Sequence, residues 1–224
     1  MKKNIKRKKL NIKDIINSLK NDKKLIISFI CLLLFIILTF LIFLGISNDL
    51  DEYVSSYIIG IRSEKLTERM INITNIGGTY SLIVISLLLL IFIKKKKISL
   101  LVIINLITVF FTSQLFKFIF RRTRPDGIFL INESGFSYPS GHAMVSMAYI
   151  LFIIYLLYNV LKNKLSKILI TCFLSILILL IGFSRIYLGV HYFTDIIGGF
   201  LLGISYLMIF LHIIQDKGYI KWKL

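Results

Sequence analysis

Ser184-Arg185-Ile186-Tyr187-Leu188-Gly189-Val190-His191-Tyr192-Phe193-Thr194-Asp195 is a polar island between two long apolar segments, 168–183 before it and 194–214 after it. The flanking runs read as membrane-crossing helices and the island as the turn that joins them. An arginine and a histidine are costly at such a place, so they invite a functional reading. Asp195 is the only acidic residue between Glu133 and Asp216, and it follows His191 by four positions. On a shared helix that spacing puts both on one face. A carboxylate there can hold the imidazole in one tautomer and stabilise its protonated form. Arg185 adds a permanent positive charge of the kind that suits phosphate.

Outward from this turn, the rest of the chain has the same character. It has 224 residues, is 57% hydrophobic and contains only two prolines. That is too apolar for a soluble domain and predicts an all-α integral membrane protein. Six spans are expected, at 25–46, 78–93, 98–116, 143–161, 168–183 and 194–214, packed as one bundle. The first has a basic flank like that of a signal peptide. It is too long for one and no small-residue cleavage site follows, so it is read as an uncleaved helix. The domain plan is a basic tail (1–24), a six-span unit (25–214) and a short tail (215–224). Cys31 and Cys172 lie inside apolar runs, which suggests neither a disulfide framework nor a metal site. Segment 49–78 is mixed. Leu50, Val54, Tyr57, Ile58 and Ile61 recur at helical spacing, as do Leu66, Met70 and Ile73, which predicts short interfacial helices or a lid.

The formal charge of +17 raises the question of nucleic acid, and its distribution answers it. Ten of the 28 basic residues precede the first span, where Leu10, Ile12, Ile15, Ile16 and Leu19 add an apolar series suited to a membrane-surface helix. With both termini cytoplasmic, the inner face carries 20 basic residues against Asp14, Asp22 and Asp216, and the outer face carries eight of each sign. The whole excess is therefore internal, as the positive-inside rule demands, and no nucleic-acid partner is needed. The expected location is the cytoplasmic membrane, with the 117–141 loop and the 184–195 turn outside.

Two more polar clusters fall on that outer face. In Lys117-Phe-Ile-Phe-Arg121-Arg122-Thr123-Arg124-Pro125, Lys117, Arg121 and Arg124 would form one stripe of a helix that Pro125 ends. In Pro139-Ser140-Gly141-His142, Ser140 is a good N-cap, and the free amides behind it make an anion site. Gly141 permits close backbone approach. Each cluster alone has an ordinary structural explanation. Together they bring two histidines, several cations and a carboxylate to one membrane surface.

Lys-x6-Arg-Pro at 117–125, Pro-Ser-Gly-His at 139–142 and Ser-Arg-x5-His-x3-Asp at 184–195 resemble the type 2 phosphatidic acid phosphatase (PAP2) superfamily. The resemblance covers about residues 50 to 210. Phe193 departs from it, since many relatives carry proline there. It implies that His191 is a nucleophile forming a phosphohistidine, that Asp195 orients it, and that His142 is the general acid. Lys117, Arg124, Ser140, Gly141 and Arg185 would bind the phosphoryl oxygens, with no metal and no other cofactor. Arg121 and Arg122 are not carried over: they are expected to draw in headgroups or to be surface charge, and Arg122→Ala to leave most turnover intact. His212 is read as a packed or snorkelling residue, and Gly199 and Gly203 as a close helix contact. The implied substrate is a membrane lipid with a phosphate or pyrophosphate headgroup. Undecaprenyl pyrophosphate stands first, with phosphatidylglycerol phosphate and phosphatidic acid as the other candidates. The abundance of Ile, Lys and Asn suggests an AT-rich bacterial genome, and an outward-facing site in a bacterium favours that order by analogy. A phosphotransferase, or a non-hydrolytic lipid-phosphate binder or transporter on the same scaffold, is the alternative. Oligomeric state is not legible.

Overall fold

The computed structural model describes residues 22–219 apart from residue 128. The basic tail and its expected surface helix therefore lie outside the described residues. Those described fold into eight α-helices and no strand: α1 Lys23–Phe43, α2 Asn48–Gly60, α3 Glu64–Ile76, α4 Thr79–Phe92, α5 Lys96–Phe120, α6 Gly141–Val160, α7 Lys164–Tyr187 and α8 Phe193–Asp216. Helices α1, α5, α6, α7 and α8 are each long and apolar enough to cross a membrane. At about 1.5 Å per residue, each reaches or exceeds the roughly 30 Å of a bilayer's hydrocarbon.

The expected second span is modified. Helix α4 has only 14 residues, about 21 Å, and qualifies as a span only together with α3, from which it is bent by 48°. The break falls at Gly77 and Gly78. A Cβ on Gly77 would stand 2.6 Å from the Ile181 side chain, so the close approach of α7 requires glycine there.

Helix α6 forms the centre of the bundle and packs between α5, α7 and α8. Its tightest seam is with α8, where a Cβ on Gly199 would lie 2.7 Å from the Ser140 carbonyl oxygen and one on Gly203 2.7 Å from that of Met144. This small-residue face brings the start of α6 against the start of α8, as the Gly-x-x-x-Gly reading anticipates. Helix α1 runs antiparallel along α8. Ser28 and Ser205 exchange side-chain-to-carbonyl hydrogen bonds at 3.0 and 3.1 Å, satisfying polar groups that would otherwise face hydrocarbon. At one end of α1, Thr39 bonds the buried Tyr138 hydroxyl at 2.8 Å. At the other end, Asp22 meets His212 at 2.7 Å, which makes His212 a partnered packing residue.

The two ends of the bundle are sorted by charge. Lys97 lies over the Tyr219 ring, at the end where Asp22 meets His212. At the opposite end, the 121–140 connection lies on the α7–α8 turn through Leu130 N–H to the Leu188 carbonyl (3.1 Å) and Ser140 N–H to the Asp195 carbonyl (3.0 Å). Helices α2 and α3 lean on the same turn. Arg62 Nε donates to the Tyr187 carbonyl at the end of α7, and the Tyr187 hydroxyl accepts the Ser63 amide, both at 3.0 Å.

Candidate active site

His191 sits in the short turn before α8 and is 2% exposed. Its Nδ1 lies 3.3 Å from Asp195 Oδ2. A carboxylate only accepts, so Nδ1 carries the proton and Nε2 keeps its lone pair. That lone pair faces Arg124 Nη1 at 3.4 Å, beside a cavity of about 550 Å³. Burial first, then the charges of Lys117, Arg185 and Arg124, hold the imidazole well below its ordinary pKa, so it is neutral at pH 7. A neutral, oriented imidazole whose Nε2 keeps its lone pair is a nucleophile once phosphate draws Arg124 away.

Asp195 is fully buried in the first turn of α8. Its Oδ2 also accepts the Tyr192 amide at 2.9 Å, so the same carboxylate caps the helix and holds the histidine. Its other oxygen, Oδ1, accepts from Arg122 Nη1 at 2.7 Å.

That contact overturns the reading of Arg122 as surface charge. Its side chain is 12% exposed, stacks over the Tyr192 ring at 4.1 Å, and bridges Asp195 and Asp51. The expected helical stripe through Arg124 is corrected with it. Helix α5 stops at Phe120, and Arg121 adopts the left-handed conformation (φ 50°), its amide bonding the Lys117 carbonyl at 2.9 Å. The chain reverses there. Arg121 stays outside over Phe118, while Arg122 and Arg124 turn inward.

Arg124 is anchored by backbone carbonyls: Nε to Gly135 (3.1 Å), Nη2 to Ser134 (2.8 Å) and Nη1 to Val190 (2.8 Å). Lys117 Nζ reaches the Phe136 carbonyl at 2.7 Å. Both cations line the cavity together with Gly141, His142 and His191. Ser140 caps α6 from behind the wall, with its Oγ 3.5 Å from the Ala143 amide, and does not line the cavity. Arg185 is also behind it. This residue is 1% exposed, bonds Thr74 Oγ1 at 2.8 Å and is ion-paired with Glu133. Glu133 itself lines the cavity, with its other oxygen 3.7 Å from Arg124. A carboxylate of the protein thus neutralises two cations assigned to phosphate.

The cavity floor is less polar. Ser113 and Gln114, one turn below Lys117, join Phe110 and Val145 there. Ser113 Oγ is buried without a hydrogen-bond partner. Among the described residues no group of three or more His, Cys, Asp or Glu side chains could hold a metal ion.

Of the eight residues that the sequence reading assigns, His191, Asp195, His142, Lys117, Gly141 and Arg124 meet here, while Ser140 and Arg185 stand behind the wall. That reading missed Arg122, Asp51 and Glu133. Asp51 did leave a signal, since it shares the 51, 54, 58 stripe of α2 with Val54 and Ile58.

The PAP2 superfamily profile matches residues 96–219. Phosphatidylglycerophosphatase B of Bacillus subtilis (strain 168) is 34% identical over 177 residues, which span 77% of this chain and 87% of that protein. The crystal structure of a transmembrane PAP2-type phosphatidylglycerolphosphate phosphatase from Bacillus subtilis superposes with a TM-score of 0.78 at 29% identity, covering 88% of this chain and 98% of that one. The crystal structure of Aquifex aeolicus LpxE shares the fold, with a TM-score of 0.61 at 24% identity over 73% of this chain and 95% of that one. With its three motifs gathered around one cavity and more than half its length matched by the profile, the chain belongs to the PAP2 superfamily.

Proposed function

We propose that this membrane lipid phosphatase cleaves a lipid phosphate or pyrophosphate at the outer leaflet, without a metal, through a phosphohistidine on His191. One observation carries the reading: His191, held by Asp195, presents Nε2 to a cavity walled by Lys117, Arg124 and His142.

In the first step Nε2 attacks phosphorus and the bond from phosphorus to the leaving oxygen breaks. The leaving group is an alkoxide from a monoester or a phosphate from a pyrophosphate. His142, whose imidazolium form the negative charge of the incoming phosphate favours, gives that oxygen its proton. Lys117, Arg124 and the Gly141 amide at the start of α6 face the charge on the phosphoryl oxygens. In the second step water attacks the phosphohistidine, His142 takes the water's proton, and inorganic phosphate leaves with His191 regenerated. Phosphoryl transfer asks mainly for positioning and charge stabilisation, and these residues supply both. Ser140 contributes by capping α6. Arg185 contributes once the incoming phosphate takes over from Glu133.

The name of the Bacillus relative moves phosphatidylglycerol phosphate to the front of the substrate candidates, ahead of undecaprenyl pyrophosphate and phosphatidic acid. The outer-leaflet assignment is supported by the sequence's charge distribution, in which the positive-inside rule would assign 20 of 28 basic residues to the cytoplasmic side. Residues 25–214 act as the catalytic unit.

The test is phosphate release by detergent-purified protein from those three lipids, in EDTA, beside His191→Ala. Turnover that survives EDTA and vanishes in the variant is the expected result. Loss of turnover in EDTA rejects the metal-free route. Binding of all three lipids without release moves the assignment to the phosphotransferase or binder alternatives.

A further inference from the structure

Asp51 is the one acidic residue of α2 that the fold buries, at 1% exposure, and both its oxygens are engaged. Oδ1 accepts the Thr194 amide at 2.9 Å. Oδ2 accepts the Thr194 hydroxyl at 2.7 Å and Arg122 Nη2 at 2.8 Å. Asp51 therefore caps α8 from another helix, one residue before the aspartate that holds His191. Arg122 closes the circuit, with Nη1 donating to Thr194 Oγ1 (2.8 Å) and Asp195 Oδ1 (2.7 Å).

The opposite side of α2 faces outward, where Leu50, Tyr53 and Tyr57 form an exposed stripe suited to a membrane interface. A surface helix of this kind has no packing reason to bury a carboxylate. Burying one is costly unless its partners are fixed, and these are.

We propose that Asp51 and Arg122 are positioning residues for catalysis, setting both the orientation and the effective charge of Asp195. The proposal rests on the phosphohistidine reading. The orientation argument is geometric. With Oδ1 tied to Arg122 and Oδ2 to the Tyr192 amide, the carboxylate cannot rotate away from His191 Nδ1. The charge argument is a count. One guanidinium faces two carboxylates, so the cluster keeps a net negative charge beside an imidazole that becomes cationic when phosphorylated. Replace Asp51 by a neutral group and Arg122 has only Asp195 to neutralise.

The groups facing His191 from the elements around it are Lys117 (α5), Arg124 and Glu133 (the 121–140 connection), His142 (α6), Arg185 (α7) and Asp195 (α8). Every one except Glu133 and Asp195 is a cation or becomes one. The charge that Asp51 leaves on Asp195 is thus a large part of what offsets them.

The experiment is a pH profile of kcat and KM for wild type, Asp51→Asn, Arg122→Gln, Arg122→Lys and the Asp51→Asn, Arg122→Gln double variant, with thermal unfolding of each. Asp51→Asn is expected to lower kcat by about 10- to 100-fold, the usual cost of losing a group that orients another. Its KM should stay near wild type, and its acid limb should move to lower pH as His191 becomes harder to protonate. Arg122→Lys should recover part of what Arg122→Gln loses. The double variant should lose less than the product of the single losses, because the two residues act as a unit. Unchanged kcat in Asp51→Asn, or a loss that tracks only the folded fraction with an unmoved acid limb, overturns the proposal. Wild-type protein that releases no phosphate from any lipid overturns the phosphohistidine reading and this proposal with it. An active wild type with an indifferent Asp51→Asn overturns this proposal alone.

Discussion

Asp195→Asn keeps the volume of the side chain and removes one acceptor and one charge. In the structure Oδ2 receives the Tyr192 amide at 2.9 Å and His191 Nδ1 at 3.3 Å, while Oδ1 receives Arg122 Nη1 at 2.7 Å. An amide has only one accepting end. If its NH2 takes the Oδ2 position, it points a donor at the Tyr192 N–H and demands a lone pair from Nδ1. The proton of His191 then moves to Nε2, the atom that must attack. If the NH2 takes the Oδ1 position, two donors face each other across 2.7 Å, one on a guanidinium. Either way a buried donor is left unpaired, at a cost of about 1–3 kcal/mol to the fold. The catalytic loss is larger. The wrong tautomer and the missing charge together reduce kcat about 10⁴-fold in the Ser-His-Asp hydrolases, where the same substitution is a worked case. That factor corresponds to about 5.5 kcal/mol of barrier. The assay is phosphate release at saturating substrate, normalised to the folded fraction from a thermal melt. A folded Asp195→Asn protein retaining more than a tenth of wild-type kcat would refute the idea that this carboxylate sets the tautomer of His191.

Three further outcomes follow from the same geometry. His191 is titrated below its ordinary value near 6.5, so the acid limb of kcat/KM lies under that pH. The fold also loses stability as pH falls below 6.5, because the unfolded chain takes up a proton that the folded one resists; an acid limb at or above 6.5 contradicts both. Glu133→Gln removes the internal anion from Arg185 and Arg124, so inorganic phosphate should inhibit the variant more tightly, by about tenfold or 1.4 kcal/mol. Weaker or equal inhibition would mean that Glu133 does not compete with phosphate. Gly199→Ala places a Cβ 2.7 Å from the Ser140 oxygen and 2.9 Å from Ala143 Cβ, both fixed by backbone, and should destabilise by about 1–3 kcal/mol. An unchanged melting temperature would count against that seam as the contact joining α6 to α8.

The sequence shows the bundle plainly because apolar runs are long and polar residues within them few. His191, Asp195 and His142 stand out for the same reason. Arg122 did not, because its direction depends on the left-handed turn at Arg121, a conformation that arginine does not announce as glycine or asparagine would. Without that turn Arg122 reads as the outward neighbour of a helical stripe. Asp51 shares the inward stripe of α2, but the stripe alone does not mark it, since an acidic residue on an amphipathic helix ordinarily faces water. Glu133 lies in a connection with no periodicity, so nothing in the chain signals its meeting with Arg185. The run 78–93 is apolar enough to read as a span, yet its 14-residue helix qualifies only together with α3, across a 48° bend that hydropathy does not show.

The cavity is walled partly by Phe118, which is 62% exposed on the flank of α5, and by Gly77 and Thr79 at the break between α3 and α4. A mouth in that side of the bundle would face lipid rather than only water. An enzyme built this way meets its substrate by lateral diffusion in two dimensions. Its rate is then governed by the mole fraction of substrate in the surrounding film, not by the amount per volume of buffer. Inert detergent or lipid added at constant bulk substrate would slow it by surface dilution, although nothing has bound to the protein.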